Sequence, residues 1–537
     1  MSEYVVPNTT IWIIKNCPCE PDYKNTLYFG SKAAQLATFA NWIKYKLDAH
    51  SYQRYGAGRI QVEKSVEDLY DCNYLLFQNT NFKDSSGNAK WFYAFITDVE
   101  YVNNNTSTIT YEIDVLQTWL KDYELQEVMV LREHPLTDAP GENITPEPFG
   151  NLPMVYENAM DITTPDGRRL KDLAIVGWFA SNTNCRPAMG LPTMLTWCQY
   201  PYTKSGLEQF NTALEDLDPK NLIALHVAPV VLMPDTNRPV EPYDFDAQSK
   251  PVSFSFDVPR PLSGPFTQKV NGVATSYTPK NKKLYTAPYM SAYLSTNDGN
   301  GKTFRFEFSD LNTVLSFRVI GDFTPNPSVT LVPLSYKGVT ENYAEAISFS
   351  GYPQCGTDSD AYKAWLAQRG GVLGVQALGG IAMAIAGLVT QQPILAISGA
   401  TTALGAGAQV AGAAEMPNSG SAGGGSAAGL AAARKLTFTA MLQHVTVEAA
   451  KRIDDYFNRY GYAINQVKKP NIGTRPYYNY VQTENCAISG SIPASAERRI
   501  CEIFDRGVTW WVSVGAFGDY SVDNSPTAAQ SGESEAS

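Results

Sequence analysis

The chain has 537 residues, room for about three structural units, and its 44% apolar content supplies packed cores without disulfides. The formal net charge of −11 excludes a protein that grips nucleic acid through its phosphates, which needs Lys and Arg; an acidic wall would instead let DNA pass without sticking. Eight Cys without a C-x-x-C pair and four scattered His (His50, His134, His226, His444) complete no metal spacing, and no cofactor motif is present.

Met1 to Thr10 lacks the basic and apolar regions of a secretion signal, so free thiols from synthesis in a reducing cytoplasm are expected. Cys17 and Cys19 flank Pro18 and are poorly placed to bridge each other. Residues 1–135 read as strands and turns. Trp91, Tyr93, Phe95, Val99 and Tyr101 alternate with Phe92, Ala94, Ile96, Asp98 and Glu100. After the turn 103–107, Ile109, Tyr111, Ile113 and Val115 alternate with Thr110, Glu112 and Asp114. Period two on both sides of an Asn-rich break predicts a hairpin, each strand with one apolar face, as in a barrel or sandwich wall. Five prolines between Pro135 and Pro153 mark a boundary.

The next block, 136–345, is again strand-rich. Strands are expected at Val252–Val258, over Phe304, Phe306 and Phe308, at Val314–Ile320 and at Val329–Leu334, and a buried strand bent at Pro229 over Asn221–Met233. Residues 346–435 differ in kind: from Gly370 to Ala414, 45 consecutive residues carry no charge. The first arm runs from Gly370 to Thr390, Gln391-Gln392-Pro393 interrupts it, and the second runs from Ile394 to Ala414. A flexible Gly/Ser stretch follows at 417–426. Phe438, Met441, Val445, Ala449, Ile453 and Phe457 recur at three- and four-residue steps, which predicts an amphipathic helix over Lys435–Tyr460, stopped by Gly461. The segment 436–524 thus reads as helix followed by strands and turns, and 525–537 as a disordered polar tail. The fold class is mainly β, with one apolar Gly/Ala-rich loop and one long amphipathic helix.

Several segments resemble the tail-knob (distal tail tube) protein of phi-29-like short-tailed phages. Near the start they are Asp22-Tyr23-Lys24-Asn25-Thr26, Asp68-Leu69-Tyr70, Phe77-Gln78-Asn79 and Trp91-Phe92-Tyr93-Ala94-Phe95. The strongest is Glu112-Ile113-Asp114-Val115-Leu116-Gln117-Thr118-Trp119, followed by Arg132-Glu133-His134. Near the end come Tyr460-Gly461-Tyr462, Val467-Lys468-Lys469-Pro470-Asn471, Asn479-Tyr480-Val481-Gln482-Thr483, Ile503-Phe504-Asp505 and Gly518-Asp519-Tyr520-Ser521-Val522. The likeness covers the two ends of the chain and not the middle block. It implies a homohexameric tube at the tip of a short tail, attached to adjacent tail and lower-collar proteins. In that picture the two terminal segments build the wall, and the apolar loops plug the lumen, then leave it to open a pore in host-membrane lipid. Phage DNA passes through without specific binding. The implied location is the virion's distal tail, assembled in the host cytoplasm.

The apolar segment has dimensions suited to that role. Each arm of about 20 residues spans roughly 30 Å as a helix, the thickness of a bilayer's hydrocarbon core. Gly370, Gly374, Leu378, Ile381, Ile385 and Leu388 in the first arm, Pro393 at the reversal, and Ile394, Leu395, Ile397, Leu404 and Val410 in the second are the expected membrane-insertion residues. Small residues allow close helix contact in lipid, and lipid forces backbone groups to bond to each other. Read without the resemblance, the same stretch also fits a buried core hairpin or an ordinary membrane hairpin. The segment contains no His, and Glu415 is the titratable group at its edge.

Lys468, Lys469 and Arg475, beside Tyr477, Tyr478 and Tyr480, form a small basic cluster that could touch DNA or a neighbour's acidic edge, or be solvated charges of a folded wall. Two acid–base pairs are available to an enzyme. Asp454-Asp455 reads as a solvated helix face, and Glu133-His134 as a strand end or subunit contact. Gly405-Ala406-Gly407 lacks the Lys-Ser/Thr of a phosphate loop. No catalytic residue and no metal ligand is assigned. The rival readings are a tail-tip cell-wall hydrolase and a stand-alone pore-forming membrane protein.

Overall fold

The computed structural model describes residues 8–356, apart from short stretches of which 181–194, 214–221, 234–239 and 243–250 are the longest, and residues 438–525. Two compact units are present: Met1–Leu152 with Tyr277–Leu284 and Val447–Ser537, and Pro153–Ser276 with Tyr285–Thr446. Strands are numbered in chain order.

The first unit has a six-stranded antiparallel sheet in the order β3-β1-β5-β6-β7-β4. These are β1 (Thr9–Lys15), β3 (Ile43–His50), β4 (Arg59–Val62), β5 (Cys72–Lys83), β6 (Ala89–Asn103) and β7 (Thr106–Ile113). The sheet curls until its edges meet. His50 Nε2 lies 2.9 Å from the Gln61 carbonyl, and Gln53 Nε2 donates to the Arg59 carbonyl at 3.1 Å. Ile11, Ile13, Leu75, Phe77, Phe92 and Ile109 fill the inside of the curl. The predicted hairpin is β6–β7, but β6 is buried on both faces where one apolar face was expected. Phe92 and Ala94 point into the curl, while Tyr93 and Phe95 belong to a second core behind it.

That second core lies against a sheet ordered β2-β29-β27-β9-β26: β2 (Asn25–Leu27), β9 (Val128–Glu133), β26 (Tyr462–Lys468), β27 (Tyr478–Glu484) and β29 (Val508–Trp511). It joins both ends of the chain. β2 runs parallel to β29, and β9 lies between β27 and β26. A small pair, β8 (Tyr123–Leu125) with β28 (Ile488–Gly490), repeats the pattern. Helix α1 (Lys32–Ala40), capped by Ser31, inserts Phe39 between Tyr74 and Tyr93, with ring centroids 5.4 and 5.1 Å away. One turn of helix, α2 (Val66–Leu69), follows β4.

β7 stops at Ile113, short of the expected Val115, because Asp114 caps the one-turn helix α3 (Val115–Thr118). The buried Asp114 carboxylate accepts from the Gln117 N–H at 3.1 Å and the Tyr74 hydroxyl at 2.8 Å. Gln117 donates to Thr26 Oγ1 and the Leu27 carbonyl, and Thr118 bonds the Tyr93 backbone in both directions. The strongest resemblance motif is therefore a knot that ties β2, β5 and β6 together.

In the second unit one sheet runs β10-β25-β18-β19: β10 (Met154–Met160), β18 (Met290–Ser295), β19 (Gly301–Phe304) and β25 (Thr439–Val445). Another runs β14-β12-β11-β13-β24: β11 (Leu173–Ala180), β12 (Leu195–Pro201), β13 (Leu222–Pro229), β14 (Val240–Pro242) and β24 (Gln354–Gly356). Trp178 and Trp197 pack on Phe323, 5.1 and 4.8 Å away. The third comprises β15 (Val252–Pro259), β20 (Val314–Gly321), β21 (Val329–Tyr336), β22 (Val339–Glu341) and β23 (Ile347–Phe349). β16 (Phe266–Val270) and β17 (Val273–Tyr277) form a separate hairpin.

The strands expected at 221–233, 252–258, 314–320 and 329–334 are present, the first ending at Pro229 and followed by a 3-10 turn, Val230–Leu232. Two expectations need correction. The strand through Phe304 ends there, and Phe306–Phe308 is a 3-10 turn. The long helix expected over Lys435–Tyr460 is half strand: β25 is followed by α4, Val447–Tyr460. Gly461 does end α4. At φ +63° a Cβ there would lie 2.1 Å from the Glu133 carbonyl oxygen. A further correction is α5 (Ala494–Arg506), a helix where strands and turns were expected, which buries Ala496, Ile500, Ile503 and Phe504 against the second core.

Candidate functional site

The expected insertion residues, Gly370 to Val410, lie outside the described residues. What is described is the chain on either side of them, up to Gly356 and from Phe438. β24 pairs with β13 just before it, and β25 pairs with both β10 and β18 just after it. Phe349 and Phe438 flank the excursion with ring centroids 6.4 Å apart, edge to face, and Tyr352 packs on Phe349 at 4.9 Å. All three rings are buried, at 5%, 2% and 3% exposure. The chain before the segment and the chain after it are thus held together by buried aromatics. Among the described residues no helix is long and apolar enough to cross a membrane.

The two acid–base pairs are both built into the first unit. Glu133, fully buried, accepts from Lys468 Nζ, from the Asn471 N–H at 2.9 Å and from Asn471 Nδ2 at 3.1 Å. His134 Nδ1 accepts from the Tyr480 N–H at 2.8 Å, so the proton sits on Nε2, which donates to the Asn458 carbonyl at 3.0 Å. Burial, reinforced by Arg475 and Arg132, pushes the His134 pKa down to about 3, which keeps the ring neutral. Asp454 is 1% exposed, a correction to its reading as part of a solvated face; Asp455 beside it is exposed as expected. Asp454 accepts from the Tyr277 hydroxyl at 2.6 Å, from the Lys280 and Asn281 N–H groups at 2.7 and 2.9 Å, and from Asn281 Nδ2 at 2.6 Å.

A third buried carboxylate, Glu147, is paired with Arg132, accepts from Lys283 Nζ at 2.7 Å and takes the Ala463 N–H at 2.8 Å. Nearby Asp138 accepts from the Tyr462 hydroxyl at 2.6 Å and the Lys282 N–H at 3.1 Å. These groups bind residues 132–147, 277–284 and 454–463 into one clamp. Every one of these carboxylates is occupied by donors, which suits a structural joint and leaves none disposed to act on a substrate.

Comparison with known proteins agrees with a structural role. Residues 262–525 match the C-terminal domain of the tail knob protein gp9 of Bacillus phage phi29, and residues 7–124 match the caudoviral major tail protein N-terminus. The tail knob proteins gp9 of Bacillus phages PZA and phi29 are 26% and 25% identical, in each case over 98% of this chain and the whole of the relative. Over nearly its whole length the chain is similar to the tail-knob proteins of phi29-like phages. The tail knob protein gp12 of bacteriophage C1 has the same fold, with a TM-score of 0.59 at 13% identity over 96% of this chain and 99% of that one.

A tail-knob chain is a structural component of the virion tail, and its relatives are named as such and not as enzymes. Within that frame the basic trio does not form one exposed cluster. Arg475 is 2% exposed and reaches the Asn524 carbonyl, Lys468 is engaged by Glu133, and Lys469 is the outward-facing member, 4.0 Å from Glu124. Sequence reasoning missed Glu147, Asp138 and Lys283. Glu147 and Asp138 fall in the proline-rich stretch that reads as a boundary, and none of the three has a partner nearby in sequence.

Proposed function

We propose that this chain is a wall subunit of an oligomeric tail tube through which the genome leaves, and that the uncharged segment 370–414 is held away from water until it enters the host membrane. The observation that carries this reading is the aromatic cluster of Phe349, Tyr352 and Phe438, which brings the chain before the segment and the chain after it into contact. A loop closed at its base can change its surroundings without unfolding the unit that bears it. The segment itself is apolar, uncharged and long enough for two bilayer-spanning arms. Likeness to the tail-knob proteins supports the tail location, and the acidic composition favours passage of DNA over capture. Lys468 and Lys469 are the residues proposed to meet DNA or an adjacent subunit, and Arg475 is withdrawn from that role.

The test is dye release from liposomes by the purified protein, alongside negative-stain microscopy for a ring or tube with a lumen. Full-length protein is expected to release dye, and a variant with 370–414 replaced by a short Gly-Ser linker to keep its ring and lose the release. Equal release by both would remove the segment from the mechanism; a particle without a central passage would remove the tube.

A further inference from the structure

Cys486 and Cys501 lie on different elements of the first unit and flank one carboxylate, that of Asp505. Cys486 follows β27 in a turn through Asn485, whose φ is +56°, and Cys501 lies midway along α5. Asp505, four residues beyond Cys501 and so on the same helix face, accepts from the Cys486 N–H at 3.0 Å and the Thr483 hydroxyl at 2.8 Å with one oxygen. That carboxylate fixes the turn that carries Cys486 against the helix face that carries Cys501, and both residues pack on the same core. Both thiols are free and half-buried, so a small reagent can reach them. Cys17 and Cys19 provide an internal contrast. They are two residues apart around Pro18 and buried at 5% and 3%.

We propose that Cys486 and Cys501 form a disulfide once the assembled protein leaves a reducing cytoplasm and meets a low-molecular-weight disulfide, stapling α5 to the turn after β27. Cys501 loses its proton to solvent and attacks the reagent, releasing one small thiol. The Cys486 thiolate then attacks the mixed disulfide and releases the second. Two protein thiols and one small disulfide give one protein disulfide and two small thiols. Burial holds both thiols above their ordinary pKa, so the exchange is slow at neutral pH and quickens as pH rises.

The test incubates full-length protein with oxidised glutathione at mildly alkaline pH, alkylates remaining thiols after denaturation, and maps peptides by mass. The expected result is a linked 486–501 peptide pair, lighter by two hydrogens than the reduced pair, with Cys17 and Cys19 alkylated. The treated protein should also unfold at a higher temperature than the reduced one, and a Cys501→Ser variant should show no such rise. Alkylation of both Cys486 and Cys501, or a stable glutathione adduct on each, would overturn the proposal. So would an equal thermal shift in the variant. The peptide map of the unmutated chain stands whether or not the variant folds.

Discussion

His134 and Asp114 are both enclosed in the first unit, and acid acts on them in opposite directions. His134 has its pKa lowered from 6.5 to about 3, so the unfolded chain takes up a proton that the folded chain refuses. Its contribution is complete above pH 6.5 and is lost as pH falls toward 3, at up to about 1.4 kcal/mol per pH unit. His134→Gln preserves a donor for the Asn458 carbonyl and an acceptor for the Tyr480 N–H. It should flatten that slope in urea midpoints measured across the window. Asp114 has its pKa raised by burial from 3.8 to about 6, so its contribution is complete below pH 3.8 and is lost as pH rises to about 6. Asp114→Asn removes a loss of about 3 kcal/mol and should be at least as stable as the unmutated chain at pH 7 in the same titration, less so relative to it at pH 4.

At the scale of elements, the clasp at the base of the excursion rests on Phe438, 2% exposed and set against Phe349. Phe438→Ala should cost the second unit about 3–5 kcal/mol, read as accelerated hydrogen exchange of the β25 amides. β25 also shows why the sequence misled. Its buried side chains are Ala440, Leu442, His444 and Val445, a period of two as far as His444. The small Ala440 and the polar His444 weaken that alternation in the sequence, while Phe438, Met441 and Val445 supply a helical spacing by coincidence. β6 was legible as a strand from its alternation, but burial on both faces depends on β29 and α5, which arrive some 400 residues later in the chain. Asp454 was unreadable for the same reason, since its donors Lys280 and Asn281 are more than 170 residues distant. The uncharged segment was legible from composition alone, because an absence of charge needs no partner to be seen.

At the scale of the whole molecule, the first unit is assembled from three separated stretches, with Asn25 pairing Thr509 and Leu27 pairing Trp511. A chain stopped before Val508 lacks β29, and with it Trp510 and Trp511, two of the largest fully buried side chains. Such a truncation should leave the N-terminal β-strands sensitive to protease, although every residue of 1–152 is present; limited proteolysis with N-terminal sequencing of the fragments would show it. The parallel pairing of β2 with β29 also sets a clock on synthesis. A ribosome adds about 5–20 residues per second, so the N-terminal strands wait tens of seconds for a partner 486 residues further along the chain. A tail subunit built this way becomes competent only once Val508–Trp511 has been made, and a copy stopped short of it has no completed first unit to offer its neighbours.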